Sequence, residues 1–338
     1  MVKKIPDLLI YITLSIVWLI IIDPTSKTLH LGNSSVPKFP SLICYDLPMC
    51  FRVLSLDIHN LFSFFTHKFF FTLNIKLNHE LVAYYIIAFC SLIYIFKNIK
   101  KIINNNKTFT LLIIYIFLTL LYFKLPLLRV FDYFVIIYFL YIFKYYDKLT
   151  ENFFSVKSII LLSIGTIIFE YAGLLYGTSI IIYNFICYKF EKIKFQIKHF
   201  ILPLIPLVIL VSLYFIISSN ENYFWVFKNE QDIRIVWKEY GQFNNKSHII
   251  KSLIKYSFLF LIFCFIIVRN GNYKFSILSE KFKNKKNAFL ISMILAFLCA
   301  VTVGKFTSGF KSEWQRQFMP YLFLISILGA NLYNSKKE

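Results

Sequence analysis

Five arginines stand among 32 lysines in this chain, and four of them, Arg52, Arg129, Arg234 and Arg316, fall in the segments that also carry most of the acids and the tryptophans. Only Arg269 lies in a lysine-dense stub. Lysine suffices as a point charge, whereas a planar guanidinium is favoured where a phosphate or carboxylate must be gripped with fixed geometry. Arg52, Arg129 and Arg316 are therefore the candidate anion-binding residues. Arg129 and Asp132 are three residues apart on one helical face, where an internal ion pair accounts for them as well as a ligand role does. Glu170 stands in Phe169-Glu170-Tyr171-Ala172-Gly173 between two short apolar runs, and an acid at that depth hydrogen-bonds in a tight turn or lines a polar cavity; the cavity is preferred. Glu313 and Arg316 flank Trp314, which offers a flat face of the kind that stacks on sugars, and Pro320 suits the first turn of a following helix. A loop-to-helix junction with a surface ion pair explains each of these pieces separately, but not their concentration.

The elements that must position these side chains are apolar. Hydrophobic residues make up 58% of the 338, aromatics 20%, and the mean hydropathy is +0.64, which points to an all-α, polytopic transmembrane bundle. Unbroken apolar runs approaching the roughly 20 residues that cross hydrocarbon predict ten spans: 8–22, 81–96, 108–123, 130–146, 156–170, 172–188, 200–217, 252–268, 288–303 and 319–333. The whole of 1–338 is expected to be a single integral membrane domain, with outer loops at 23–79, 218–251 and 304–318.

Orientation follows from the retention of basic flanks on the cytoplasmic side. With the N-terminus inside, the stubs Lys3–Lys4, Lys97 to Lys107, Lys144 to Lys157, Lys189 to Lys198, Arg269 to Lys286 and Lys336–Lys337 are inside too, and both termini are cytoplasmic. By count 21 of the 37 basic residues are inside, although the outer loops are together longer. Most of the formal charge of +20 thus sets topology and meets anionic headgroups. Nucleic acid is not an expected partner, because there is no basic soluble domain, zinc-finger spacing or glycine-rich phosphate loop. After Leu8–Ile22 comes Asp23-Pro24-Thr25-Ser26 without a small-x-small site, so the first span is read as a retained signal anchor.

Cys90, Cys187, Cys264 and Cys299 fall inside spans as apolar packing residues, while Cys44 and Cys50 share the first outer loop, as a disulfide or as two free thiols. No metal-ligand spacing is present; a divalent metal would be compatible with the acids but nothing calls for one. Within the first outer loop, Phe51, Leu54, Ile58, Leu61, Phe62 and Phe65 recur at helical spacing opposite Arg52, Ser55, His59, Ser63 and Thr66. This pattern predicts an amphipathic juxtamembrane helix at the outer membrane boundary.

A long first outer loop leading into such a helix, with Tyr45-Asp46-Leu47-Pro48-Met49-Cys50-Phe51-Arg52, and a late Arg316-Gln317-Phe318-Met319-Pro320 together resemble the membrane-embedded GT-C glycosyltransferases. The likeness is to the dolichyl-phosphate-mannose protein mannosyltransferase-like enzymes and bacterial lipid-linked sugar transferases. It implies a bacterial inner or plasma membrane, a polyprenyl-phosphate sugar as donor with no further cofactor, and a glycan, lipid or protein acceptor. Asp46 would match the loop acid that takes or orients the acceptor proton, and Arg316 the basic residue near the donor phosphate. The second acid that usually follows is replaced by Leu47, and Pro48 interrupts the expected helix start. Asp57, beside His59 on the next helix, is the substitute base, and Asp23 a third.

Two other functions fit the same composition. A polysaccharide polymerase of the O-antigen or capsule type also uses outer arginines, and Ser218 to Lys251 holds Trp225, Arg234, Trp237, Glu239 and Tyr240, with Trp237 a candidate substrate contact. A transporter or flippase would show internal repeats and Gly/Pro-broken spans, and here there are nine glycines, nine prolines and no convincing repeat.

Overall fold

The computed structural model describes residues 7–21, 53–73, 79–103, 105–123, 130–168, 172–191, 196–219, 284–308, 323–324 and 326–328. Among them every regular element is helical: α1 (Asp7–Ile21), α2 (Val53–Thr72), α3 (His79–Ile103), α4 (Asn106–Phe123), α5 (Val130–Lys144), α6 (Tyr146–Glu151), α7 (Val156–Ile168), α8 (Ala172–Glu191), a 3-10 turn (Ile197–Ile201), α9 (Leu204–Ser219) and α10 (Lys285–Ser308).

Helix starts follow local chemistry. The Asn105 side chain accepts from the Thr108 backbone N–H at 3.1 Å, Ser155 from Ser158 at 3.3 Å and Asn284 from Lys286 at 2.9 Å, satisfying donors that α4, α7 and α10 leave open. The expected span at 200–217 divides instead into a 3-10 turn and α9, because Pro203 and Pro206 lack the amide an uninterrupted helix would need.

α3 packs on α1, α4 and α5; α7 packs on α5, α8 and α9; α10 lies along α8; and α2 lies across α3, α5 and α7. Aromatic side chains fill the interior, with Trp18, Tyr84, Phe96, Tyr133, Phe143, Tyr176, Phe289 and Phe323 fully buried. Trp18 meets Phe96, Phe117 and Phe323 at centroid separations of 5.9–6.1 Å. Such contacts add about 0.5–1.5 kcal/mol each beyond area burial.

Glycines on α8 allow close approach to its neighbours. A Cβ on Gly173 would meet the Thr166 hydroxyl and the Leu162 carbonyl of α7, and one on Gly177, four residues on, would meet Pro203 Cα at 2.9 Å. This small-x-x-x-small face brings the backbone of α8 close to α7 and to Pro203.

Among the described residues α3, from Leu81 to Ile103, is long and apolar enough to cross a membrane by itself. Asp7–Ile21, Asn106–Leu118, Val156–Ile168 and Ile197–Leu213 are apolar and shorter. The expected span at 252–268, most of the span at 319–333 and all of the loop 218–251 beyond Ser219 lie outside the described residues. α10 runs to Ser308, five residues past the expected span end at 303.

The helix expected in the first outer loop is present as α2, but its faces are not as the pattern implied. Ser63, assigned to the polar stripe, is buried, whereas Phe62 and Phe65, assigned to the packing stripe, are 40% and 60% exposed. Ile58 does pack against the core. The inward face of α2 is set by its packing on α3, α5 and α7 rather than by the alternation of polar and apolar residues.

Candidate functional site

Two polar regions lie at opposite ends of α5. At its start, in the first turn, Asp132 is buried to 5% exposure. A carboxylate there is stabilised by the partial positive charge of the helix N-terminus. It lies within electrostatic range of Tyr84, near the start of α3, and of the adjoining Tyr133, whose hydroxyls are 3.2 Å apart. The buried Trp18 indole approaches Tyr133 without a hydrogen bond of normal geometry. Asp132 is the candidate residue that the structure brings into a polar cluster.

The other candidates are less fully placed. Asp57 and His59 fall on α2, six and four residues before its buried Ser63, with only their backbone described. Asp46, Arg52, Arg129, Glu170, Trp237, Glu313, Trp314 and Arg316 lie outside the described residues, as do Asp23, Cys44 and Cys50. Of the cysteines expected in spans, Cys187 is buried, while Cys90 and Cys299 are exposed.

About 18 Å along α5, at twelve residues of 1.5 Å rise, a second polar region opens at the lysine-bearing end. Residues from three of the basic stubs converge there around a cavity of about 540 Å³: Glu151 and Asn152 after α5, Lys198 and His199 in the 3-10 turn, and Lys285 at the start of α10. The C-terminal half of α8 closes it with Asn184 and Cys187.

His199 is 6% exposed and its Nδ1 has no hydrogen-bond partner. Phe154 stacks on its ring at 5.7 Å and Phe153 meets it edge-on at 5.3 Å. Burial, and then the Lys198 ammonium beside it, hold the imidazole below its ordinary value of 6.5. The wall is braced locally: the Asn184 amide donates to the Gln196 carbonyl at 3.2 Å, and the Asn152 carboxamide oxygen accepts from the Phe154 backbone at 2.9 Å. Phe153 is held edge-on by Tyr183 at 5.8 Å, and Tyr183 by Phe289 of α10 at 5.5 Å.

No cavity at this end was expected from the sequence, where its residues read as topology charges. The signal available was His199 directly after Lys198, a titratable aromatic inside a stub whose charge role lysine alone would fulfil. Among the described residues no group of His, Cys, Asp and Glu is arranged to hold a metal ion. No known protein family, curated protein or solved structure matches the chain.

Proposed function

We propose that the chain is a ten-span membrane glycosyltransferase that moves a sugar from a polyprenyl-phosphate donor to a hydroxyl acceptor at the end of the bundle where α3 and α5 begin. The observation that carries this reading is Asp132, a carboxylate kept in an apolar bundle beside a tyrosine hydroxyl pair. Retaining an acid at such a position is costly and marks a polar path or substrate site. Membrane residence is supported by the apolar outward faces: Leu8 and Ile20 on α1, Val156 and Ile160 on α7, and Leu204 and Val208 on α9 are all about half exposed or more.

In this reading the acceptor oxygen attacks the anomeric carbon as the bond from that carbon to the phosphate oxygen breaks. The acceptor proton passes to a carboxylate, with Asp46 or Asp57 as the base. The phosphate leaves as a monoester whose charge is met by Arg52, Arg129 and Arg316. Asp132 orients the sugar hydroxyls.

The test is transfer of a radiolabelled sugar from a polyprenyl-phosphate donor by the purified, reconstituted chain. Product is expected from the wild type and a loss of at least about tenfold, roughly 1.4 kcal/mol in transition-state binding, from Asp132→Asn. Donor left intact by the wild type with every hydroxyl acceptor, or equal rates in both proteins, would overturn the proposal.

A further inference from the structure

The cavity at the lysine end plays no part in sugar transfer at the opposite end, yet its walls are made for a ligand. Its volume of about 540 Å³ is that of a small-molecule site. Lys198 and Lys285 supply two ammonium groups against the single carboxylate of Glu151. The Asn152 carboxamide oxygen is engaged by the Phe154 backbone, so its NH2 group remains to donate. His199 contributes a buried nitrogen without a partner, which is rare in a packed interior unless something else supplies one. Phe153, Phe154 and Tyr183 line the same cavity, with the Lys198 ammonium 5.4 Å over the Phe154 ring.

We infer that this cavity binds a phosphate monoester, with Lys198, Lys285 and Asn152 holding the phosphate oxygens, His199 completing the polar floor and the aromatic wall receiving the group esterified to it. Two positive charges and an amide donor suit an oxyanion, and two ammonium groups bind a doubly charged monoester better than a singly charged diester. The aromatic wall fits either a nucleoside ring or the start of a lipid chain, so the phosphate comes from a soluble nucleotide or from a monoester lipid headgroup in the adjoining leaflet. Charge alone does not carry the site; the cavity and the orphan imidazole nitrogen beside the two lysines do.

The experiment uses the full chain in phosphatidylcholine nanodiscs and two probes, adenosine monophosphate in solution and phosphatidic acid added to the discs, with binding read by calorimetry for the first and by native mass spectrometry for the second. The wild type is expected to bind at least one probe saturably. Lys198→Gln/Lys285→Gln should weaken that binding at least about tenfold, while Lys189→Gln, a lysine of the same region outside the cavity, should leave it unchanged. Both lysines of the double variant are exposed, so folding is preserved and is checked by an unaltered unfolding temperature. Binding of the nucleotide alone assigns a soluble monoester, and binding of phosphatidic acid alone a lipid headgroup. Saturable binding of neither probe, or an equal loss in Lys189→Gln, overturns the inference. Because no transfer assay enters, failure here leaves the glycosyltransferase proposal standing, and the reverse holds too.

Discussion

The Tyr138 hydroxyl of α5 donates a 2.9 Å hydrogen bond to the Leu161 carbonyl of α7, and the tip of the same ring occupies the space that a Cβ on Gly165 would need. The two helices are thus pinned by one tyrosine resting where a side chain is missing. Gly165→Ala should destabilise the protein by about 1–3 kcal/mol through overpacking. In a Tyr138→Leu background the same change should cost less, giving a coupling of at least about 0.5 kcal/mol. Thermal unfolding of the four proteins in detergent measures it; additive effects would refute the contact.

Asp132→Asn keeps shape and removes charge. With the carboxylate buried near Tyr84 and Tyr133, the variant should fold with an unchanged or slightly higher unfolding temperature while transfer falls at least about tenfold. Measuring both on one preparation separates a substrate role from a packing role, which would lower stability and spare the rate.

Arg316→Lys retains charge and loses the bidentate fork. It should reduce sugar transfer by about tenfold or more with normal membrane insertion, read as product formed per inserted protein. Undiminished transfer would remove Arg316 from the phosphate site.

His199 gives the protein a pH dependence of known sign. Its folded pKa lies below the ordinary 6.5 because the imidazole is buried and Lys198 is close. The unfolded chain therefore takes up the proton first as pH falls, so the stabilising contribution is complete above 6.5 and declines from there through the lower folded value. Between about pH 7.5 and about pH 5 the unfolding temperature of the wild type should drop more than that of His199→Gln. Parallel curves would show that the imidazole is not held neutral.

The side assignment has its own check. In a cysteine-free background, a cysteine replacing Ser308 at the end of α10 should react with a membrane-impermeant thiol reagent on intact cells, and one replacing Asn284 at the start should react only after permeabilisation. The opposite result inverts the map.

The helices themselves were legible because unbroken apolar runs favour helix, although among the described residues only α3 is long and apolar enough to cross a membrane. α1, α5, α7 and α8 start within one residue of the expected spans. α2 was legible as an element but not in its orientation, since Ser63 inside and Phe65 outside invert the rule that water imposes on helix faces. The lysine-end cavity was illegible for a different reason. Glu151, Asn184, His199 and Lys285 are far apart in sequence, each in a segment with a sufficient explanation of its own, and only tertiary packing joins them. Asp132 was found because an acid at the head of an apolar helix is conspicuous wherever the rest of the site lies.

The two bare positions on α8 also govern which parts can move. Gly173 seats that helix against α7, and Gly177 seats it against the proline at the entrance to α9. Contacts this close have no slack in which backbones slide, so any rearrangement here must carry α7, α8 and Pro203 together as a rigid block, with opening left to the seams this block makes with its neighbours.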